Sequence, residues 1–311
     1  MKLVPLTIIL LLPFFATQVW AKTARESIKN LSWINKRART PNIVTHQTFY
    51  SKANQTKVGF YIYLPPHYQT NKNKRYPVIY SLHGMGGDEA RNIEQAEILH
   101  KAIQDKTVPS AIYVMANGIK ASGYYDSYDR SLMIETMIIK ELIPHIDATY
   151  RTIADKKGRA IQGFSMGGAG TTRLGLKHPH LFSSICPFSG LGISDITELP
   201  KPGTPKRQIK IKRYDLIHKM LGDDLSYWKA HMGKEIVENN AEKIRGKLGI
   251  HITFGEKERP EQQAAYFQGL LKKLNIEYEL VTHPHGHVWG DDQHVIDAFK
   301  FHFKHFTLTQ E

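Results

Sequence analysis

A single cysteine, Cys186, stands in the 311 residues, so no disulfide can form within the chain. It lies inside the apolar run Ser184-Ile-Cys-Pro-Phe188, where it reads as a small buried hydrophobe rather than a nucleophile. Long apolar runs are equally scarce. The only extended one, Leu3 to Ala16, is shorter than the ~20 residues of a membrane span and carries two prolines, Pro5 and Pro13. With Lys2 before it and Val19-Trp20-Ala21 after it, it reads as a secretory signal peptide, residues 1–21, cut after Ala21. No cysteine follows at the cut, so there is no site for a lipoprotein anchor. The expected location is periplasmic or secreted, with no stable membrane insertion.

Acidic residues are the minority charge: 29 Asp and Glu against 42 Lys and Arg, a formal net charge of +13. The densest basic run, Lys201 to Arg213, lacks interleaved aromatics, and no helix-turn-helix or RNA-binding signature accompanies it. Nucleic acid is therefore not an expected partner, and the run reads as a solvated loop. Repeats and low-complexity tracts are absent too. What remains is ordinary globular composition, 41% hydrophobic and 23% charged, which suits one large domain with an insertion or two modest ones.

Hydrophobic patterning then orders the chain. After a polar lead-in (22–41), strand-like content covers Thr45–Tyr50 and Val58–Leu64. Short continuous apolar runs follow at Pro77–Leu82, Ala111–Met115, Ala160–Phe164, Phe182–Phe188 and Ile250–Phe254, with a last strand over Glu277–Thr282. Helical patterns separate them: Asp88–Ile103, Ser131–Tyr150, Met166–Lys177, Pro260–Leu274 and a closing helix from about Gln293. Ile134, Ile138, Leu142 and Ile146 make one apolar stripe. Alternation at this pitch predicts a mainly parallel sheet covered by helices on both faces, an α/β fold occupying residues 42–311. Residues 190–247 are too long for a simple connection. They form an insertion, with helical segments near Tyr214–Leu221 and Ser226–Arg245, placed to cover a crevice beyond the strand ends.

One short segment carries the chemistry. In Gly163-Phe-Ser165-Met-Gly167-Gly168 a strand-like run meets a helix-like one with serine at the turn, the Gly-x-Ser-x-Gly nucleophile elbow. A serine hydroxyl needs a base to take its proton and a third group to orient that base. The base belongs after the last strand, in Thr282-His-Pro-His-Gly-His-Val-Trp289. His287 is best placed, because Gly286 lets the loop turn the imidazole back. His283 and His285 read as loop histidines, or with His287 as a metal site that lacks a further ligand at a matching interval. Neither a metal nor an organic cofactor is expected. The acid belongs just after strand Ile250–Phe254, where Glu256 and Glu258 both qualify. Asp195, Asp215, Asp223 and Asp224 lie in the insertion without a strand to hold them. Oxyanion donors are expected from the amide of Met166 and from that of Met85 in His83-Gly-Met-Gly-Gly87.

These motifs resemble the Putative esterase (esterase D-like) family of α/β-hydrolases, which includes feruloyl and acetylxylan esterases, S-formylglutathione hydrolases, enterochelin esterases and mycolyltransferases. The resemblance runs from Phe49 to Phe303. It rests on Phe49-Tyr-Ser-Lys52, Tyr63-Leu-Pro-Pro66, Tyr76 to Gly84, Glu141 to Tyr150, Gly163 to Gly168 and Gly286-His-Val-Trp289. It implies Ser165 as nucleophile, His287 as base, and Met85 and Met166 as oxyanion donors. The family's acid is an aspartate three residues beyond the strand-end glycine; that position here is Glu258, a departure in residue type. The segment Ser122-Gly-Tyr-Tyr-Asp-Ser127 resembles the family's substrate-side loop, which implies substrate contacts for Tyr124, Tyr125 and Asp126. The expected activity is that of a serine esterase on acetyl or feruloyl esters of polysaccharides or on related small esters. An acyltransferase on the same scaffold, or a non-catalytic binding protein, would share the motifs. Oligomeric state is not legible.

Overall fold

The computed structural model describes residues 31–35, 40–201, 203–205, 208 and 214–307. The signal-peptide reading and most of the basic run fall outside them. Eight strands form one sheet: β1 Val44–Ser51, β2 Thr56–Tyr63, β3 Val78–Leu82, β4 Ile112–Ala116, β5 Arg159–Phe164, β6 Ser184–Phe188, β7 Gly249–Gly255 and β8 Glu279–His283. Their order across the sheet is β1-β2-β4-β3-β5-β6-β7-β8. β1 pairs antiparallel with β2 and β2 with β4, while every pairing from β4 to β8 is parallel.

The burial of the strands follows from this position. β3 through β7 are sandwiched between layers, and all residues of β3, β4, β6 and β7 are buried, which is why their sequences are continuous apolar runs rather than alternating ones. β8 is the outer strand, largely exposed until it reaches buried His283.

Helices fill the connections: α1 Ile93–Gln104, α2 in three consecutive pieces (Ile134–Thr136, a π-helical stretch Met137–Leu142, Ile143–Thr149), and α3 Met166–Lys177. The insertion supplies α4 Tyr214–Leu221, α5 Leu225–Met232, α6 Glu235–Glu238 and α7 Ala241–Ile244. α8 Pro260–Lys273 and α9 Asp292–His305 complete the set among the described residues. The helical pattern expected over Ser226–Arg245 is thus broken in three. Gly233 ends α5, its N–H closing on the Lys229 carbonyl. A Cβ there would strike the Lys229 carbonyl oxygen and Glu235, so the chain turns where only glycine fits.

Strand order positions the site. From β3 the chain moves outward to β4 on one side and returns to β5 on the other, so the loops leaving β3 and β5 diverge from adjacent strands. Leu82 and Gly163 are partners in register, as are Phe164 and Phe188 on the β5–β6 pair. Ligands in open parallel sheets bind at such a divergence, beyond the carboxyl ends of the strands.

Candidate active site

Ser165 sits on the tight turn between β5 and α3 with φ 57° and ψ −111°, a backbone conformation that side chains tolerate only when their surroundings enforce it. The surroundings do so here. The Ser165 N–H donates to the Phe188 carbonyl at 2.8 Å, and its own carbonyl accepts from Ala169 at 2.9 Å. A Cβ on Gly163 would lie 2.8 Å from the Leu82 carbonyl oxygen, and one on Gly167 would lie 2.8 Å from that of His83. The elbow is therefore wedged against β3, and glycine at both flanks is a steric requirement.

From this turn a proton relay extends. Ser165 Oγ donates to His287 Nε2 at 2.8 Å, and His287 Nδ1 donates to Glu258 Oε2 at 2.5 Å. Glu258 is held by its other oxygen, which accepts from Ser189 Oγ at 2.7 Å and from the Gly255 N–H at 2.9 Å. Burial of the carboxyl acts to raise its pKa, but the hydrogen bonds from His287, Ser189 and Gly255 outweigh it and hold Glu258 below the ordinary carboxylate value. A carboxylate that stays ionised is what an imidazolium partner requires.

The loop bearing His287 is placed by its neighbours. The carbonyls of His285 and Gly286 pass directly over Gly255, into space that a side chain would fill. Trp289 packs its ring on Phe188 at 4.6 Å and on Phe164 at 5.8 Å, and Phe164 lies 4.8 Å from the imidazole of His287. The three clustered histidines are separated by this fold. His283 is buried, its ring 5.6 Å from His285 and 5.2 Å from His294, while His287 alone turns to the serine.

The two glutamates separate as well. Glu256 is exposed at the start of the turn Glu256–Glu258, whereas Glu258 has only 7% of its side chain exposed. Among the insertion aspartates, Asp195 pairs with Lys234, Asp223 with His218, and Asp224 caps α5 through the Ser226 and Tyr227 amides. Asp215 is exposed in the first turn of α4.

Met166 opens α3, so its N–H belongs to the first turn, where no carbonyl of the helix can accept it. Met85 lines the same cavity as Met166 and Ser165. Its loop is held by residues to which sequence reasoning assigned no role. His83 Nδ1 donates to the Gly84 carbonyl at 2.8 Å, and the Gly118 N–H donates to His83 Nε2 at 3.0 Å. Burial pushes the His83 pKa down, which suits a ring that must donate with one nitrogen and accept with the other. Cys186 is buried and its thiol pKa is pushed up by burial, the environment of an inert thiol.

The substrate-side loop differs from what the resemblance implied. Tyr124 is fully buried and does not line the cavity; its hydroxyl donates to the His83 carbonyl at 2.8 Å, bracing the glycine-rich loop from beneath. Asp126 also lies off the cavity. It accepts from the amide and the hydroxyl of Thr136, at 3.0 and 2.6 Å, and so fixes the start of α2. Tyr125 does reach the cavity wall. Behind its ring the buried guanidinium of Arg173 stacks at 3.9 Å, itself held by the carbonyls of Gly123 and Tyr124. A tight turn explains the split. Gly123 and Tyr124 both have left-handed backbone, φ 61°, and the Tyr125 N–H closes on the Ser122 carbonyl at 3.2 Å. The two tyrosines therefore leave the turn in different directions, and the sequence carries no sign of which faces inward.

Comparison with known proteins finds relatives in sequence and in fold. The family model described as Putative esterase matches residues 51–304. An endo-1,4-beta-xylanase/feruloyl esterase of Xylanibacter ruminicola is 35% identical over 143 residues, 43% of this chain and 20% of that protein. An esterase of Mycobacterium tuberculosis is 34% identical over 136 residues, 42% of this chain and 29% of that protein. The matched stretch is thus less than a third of each relative's length. Among solved structures, a ferulic acid esterase superposes with a TM-score of 0.68 at 23% identity, covering 85% of this chain and 98% of that one. An S-formylglutathione hydrolase from Agrobacterium tumefaciens gives 0.67 at 19% identity, covering 88% and 100%.

Proposed function

The chain belongs to the Putative esterase family, and from that premise we propose that it is an exported serine carboxylic-ester hydrolase working through an acyl-enzyme. The observation that carries the reading is the unbroken relay Ser165–His287–Glu258, with hydrogen bonds of 2.8 and 2.5 Å, set at the head of α3.

The chemistry follows from the geometry. Ser165 Oγ adds to the ester carbonyl carbon as its proton passes to His287 Nε2. Glu258 holds the resulting imidazolium. The carbonyl oxygen, now an oxyanion, is received by the amides of Met85 and Met166 at the positive end of α3. When the carbonyl re-forms, the bond to the alcohol oxygen breaks and His287 gives that oxygen the proton. Water then enters, loses a proton to His287, attacks the acyl carbon and releases the acid, with the proton returning to Ser165.

Acyl esters on polysaccharides, or related small esters, are the substrate class this reading favours. The relatives named for feruloyl esterase activity support it. Export rests on the signal-like residues 1–21, and no helix among the described residues is long and apolar enough to cross a membrane. The test is hydrolysis of p-nitrophenyl butyrate together with labelling by a serine-directed fluorophosphonate. Ser165→Ala is expected to lower kcat on the order of 10⁴-fold or more, with its Tm preserved and labelling lost. A variant keeping more than a tenth of the wild-type rate would remove Ser165 from the role.

A further inference from the structure

The cavity beside Ser165 has a volume of about 350 Å³, at the lower end of the range for small-molecule sites. Six of its lining side chains are aliphatic or thioether: Leu191, Ile193, Leu216, Ile217, Met220 and Met232. Three of these come from α4 and one from α5, so the insertion builds much of the wall. Among the described residues, no charged side chain besides Glu258 and His287 lines it. Three of its four hydroxyls apart from Ser165 already donate elsewhere, Ser122 to the Gly118 carbonyl, Ser189 to Glu258 and Tyr125 to Met232 Sδ.

The two ends of an ester must leave Ser165 in different directions. The alcohol oxygen takes its proton from His287 Nε2, so the alcohol lies against the imidazole. That side is open: the His287 side chain is 49% exposed and neighbouring Val288 is 45% exposed. A separate depression lined by Phe164, Val288 and Trp289 shares His287 with the main cavity. The acyl group is left with the aliphatic cavity.

Resting on the hydrolase reading above, we infer that this cavity is an acyl subsite for unbranched aliphatic chains of about six to eight carbons, in preference to acetyl, and that α4 sets the length limit. The volume equals about twelve water molecules at ~30 Å³ each. An acetyl group would leave most of it filled with water against apolar walls, whereas a chain of six to eight carbons displaces that water. A flat aromatic acyl group is less well served. Tyr125 has one face covered by Arg173 at 3.9 Å and an edge contact with His231 at 6.3 Å. The thioether and branched aliphatic side chains adapt to a flexible chain instead.

Each methylene moved from water onto such a wall raises kcat/KM about fourfold. Acetate to hexanoate adds four methylenes, hence a gain on the order of 10²-fold. The experiment measures kcat/KM for p-nitrophenyl esters from acetate to dodecanoate, with alkyl acetates of rising alcohol length and a methyl ferulate–methyl hexanoate pair alongside. Expected are a rise to hexanoate or octanoate, a fall by dodecanoate, a flat alkyl acetate series, and hexanoate ahead of ferulate. Met220→Trp should lower the octanoate-to-acetate ratio at least tenfold, and Met220→Ala should move the optimum to longer chains. The second variant serves where the larger side chain prevents folding. Acetate as best substrate, length dependence appearing in the alcohol series, or ferulate outrunning hexanoate would each overturn the inference while leaving a serine hydrolase in place. Absence of both ester turnover and fluorophosphonate labelling would instead overturn the hydrolase reading and the inference with it.

Discussion

Replacing Glu258 by glutamine separates the two jobs that its carboxylate performs. Oε1 accepts from Ser189 at 2.7 Å and from the Gly255 amide at 2.9 Å, while Oε2 accepts from His287 Nδ1 at 2.5 Å. A glutamine keeps its carbonyl oxygen on Ser189 and Gly255, which places its NH₂ against His287. Nδ1 must then accept rather than donate, so the ring's proton moves to Nε2 and points at Ser165. The nitrogen that should take the serine proton no longer has a free lone pair. The charge opposite the imidazolium is lost as well. Wrong-tautomer variants of this kind lose roughly 10²- to 10⁴-fold in kcat, or about 3 to 5.5 kcal/mol of transition-state stabilisation. Because the bonds to Ser189 and Gly255 survive, Tm should fall by no more than a few degrees. The assay is kcat for p-nitrophenyl butyrate beside a thermal melt, with Glu256→Gln as control. Glu256 is exposed, so its variant should keep most of the wild-type rate. Glu258→Asp should retain part of the activity, since it keeps the charge and shortens the reach. A Glu258→Gln enzyme with more than a tenth of wild-type kcat, or a Glu256→Gln enzyme crippled in its place, would refute the reasoning.

Two further outcomes test the framework around the relay. Gly167→Ala would drive a methyl group against the backbone of Leu82 and His83, so the elbow must open; we expect loss of activity and a destabilisation of several kcal/mol by urea unfolding, and a fold of unchanged stability would contradict the packing described. His231 is buried, stacked on Tyr227 at 4.0 Å with Nδ1 donating to the Tyr227 carbonyl, and burial first, then Lys177, lowers its pKa from 6.5 to about 4. Between those values the unfolded chain binds a proton that the folded one refuses, so stability is lost as pH falls from about 6.5 toward 4. The stability advantage of wild type over His231→Gln should therefore shrink by roughly 3 kcal/mol between pH 7 and pH 4, and an advantage that does not change with pH would show that the ring is not held neutral.

Much of this molecule is determined by local sequence, and the reason is periodicity and sterics. Short continuous apolar runs alternating with helical patterns suit strands buried on both faces, and the sheet that results has them at its centre. Met166–Lys177 forms a helix with the bounds its pattern predicts, because Ser165 and the flanking glycines dictate where the chain can turn. The order of serine, acid-bearing loop and histidine-bearing loop is likewise written along the chain. Tertiary structure decided the rest. Glu256 and Glu258 are chemically equal in sequence; the turn after β7 and the Ser189 hydroxyl, from a different strand end, select which one meets His287. Tyr124 and Tyr125 are identical neighbours, and only packing against His83 on one side and Arg173 on the other assigns one to brace the glycine-rich loop and the other to the cavity wall. The cavity itself joins α4 and α5 of the insertion to a loop that starts some forty residues before Ser165. Contacts between segments so far apart leave no trace in local spacing, because their energy comes from surfaces that meet only once the sheet has formed.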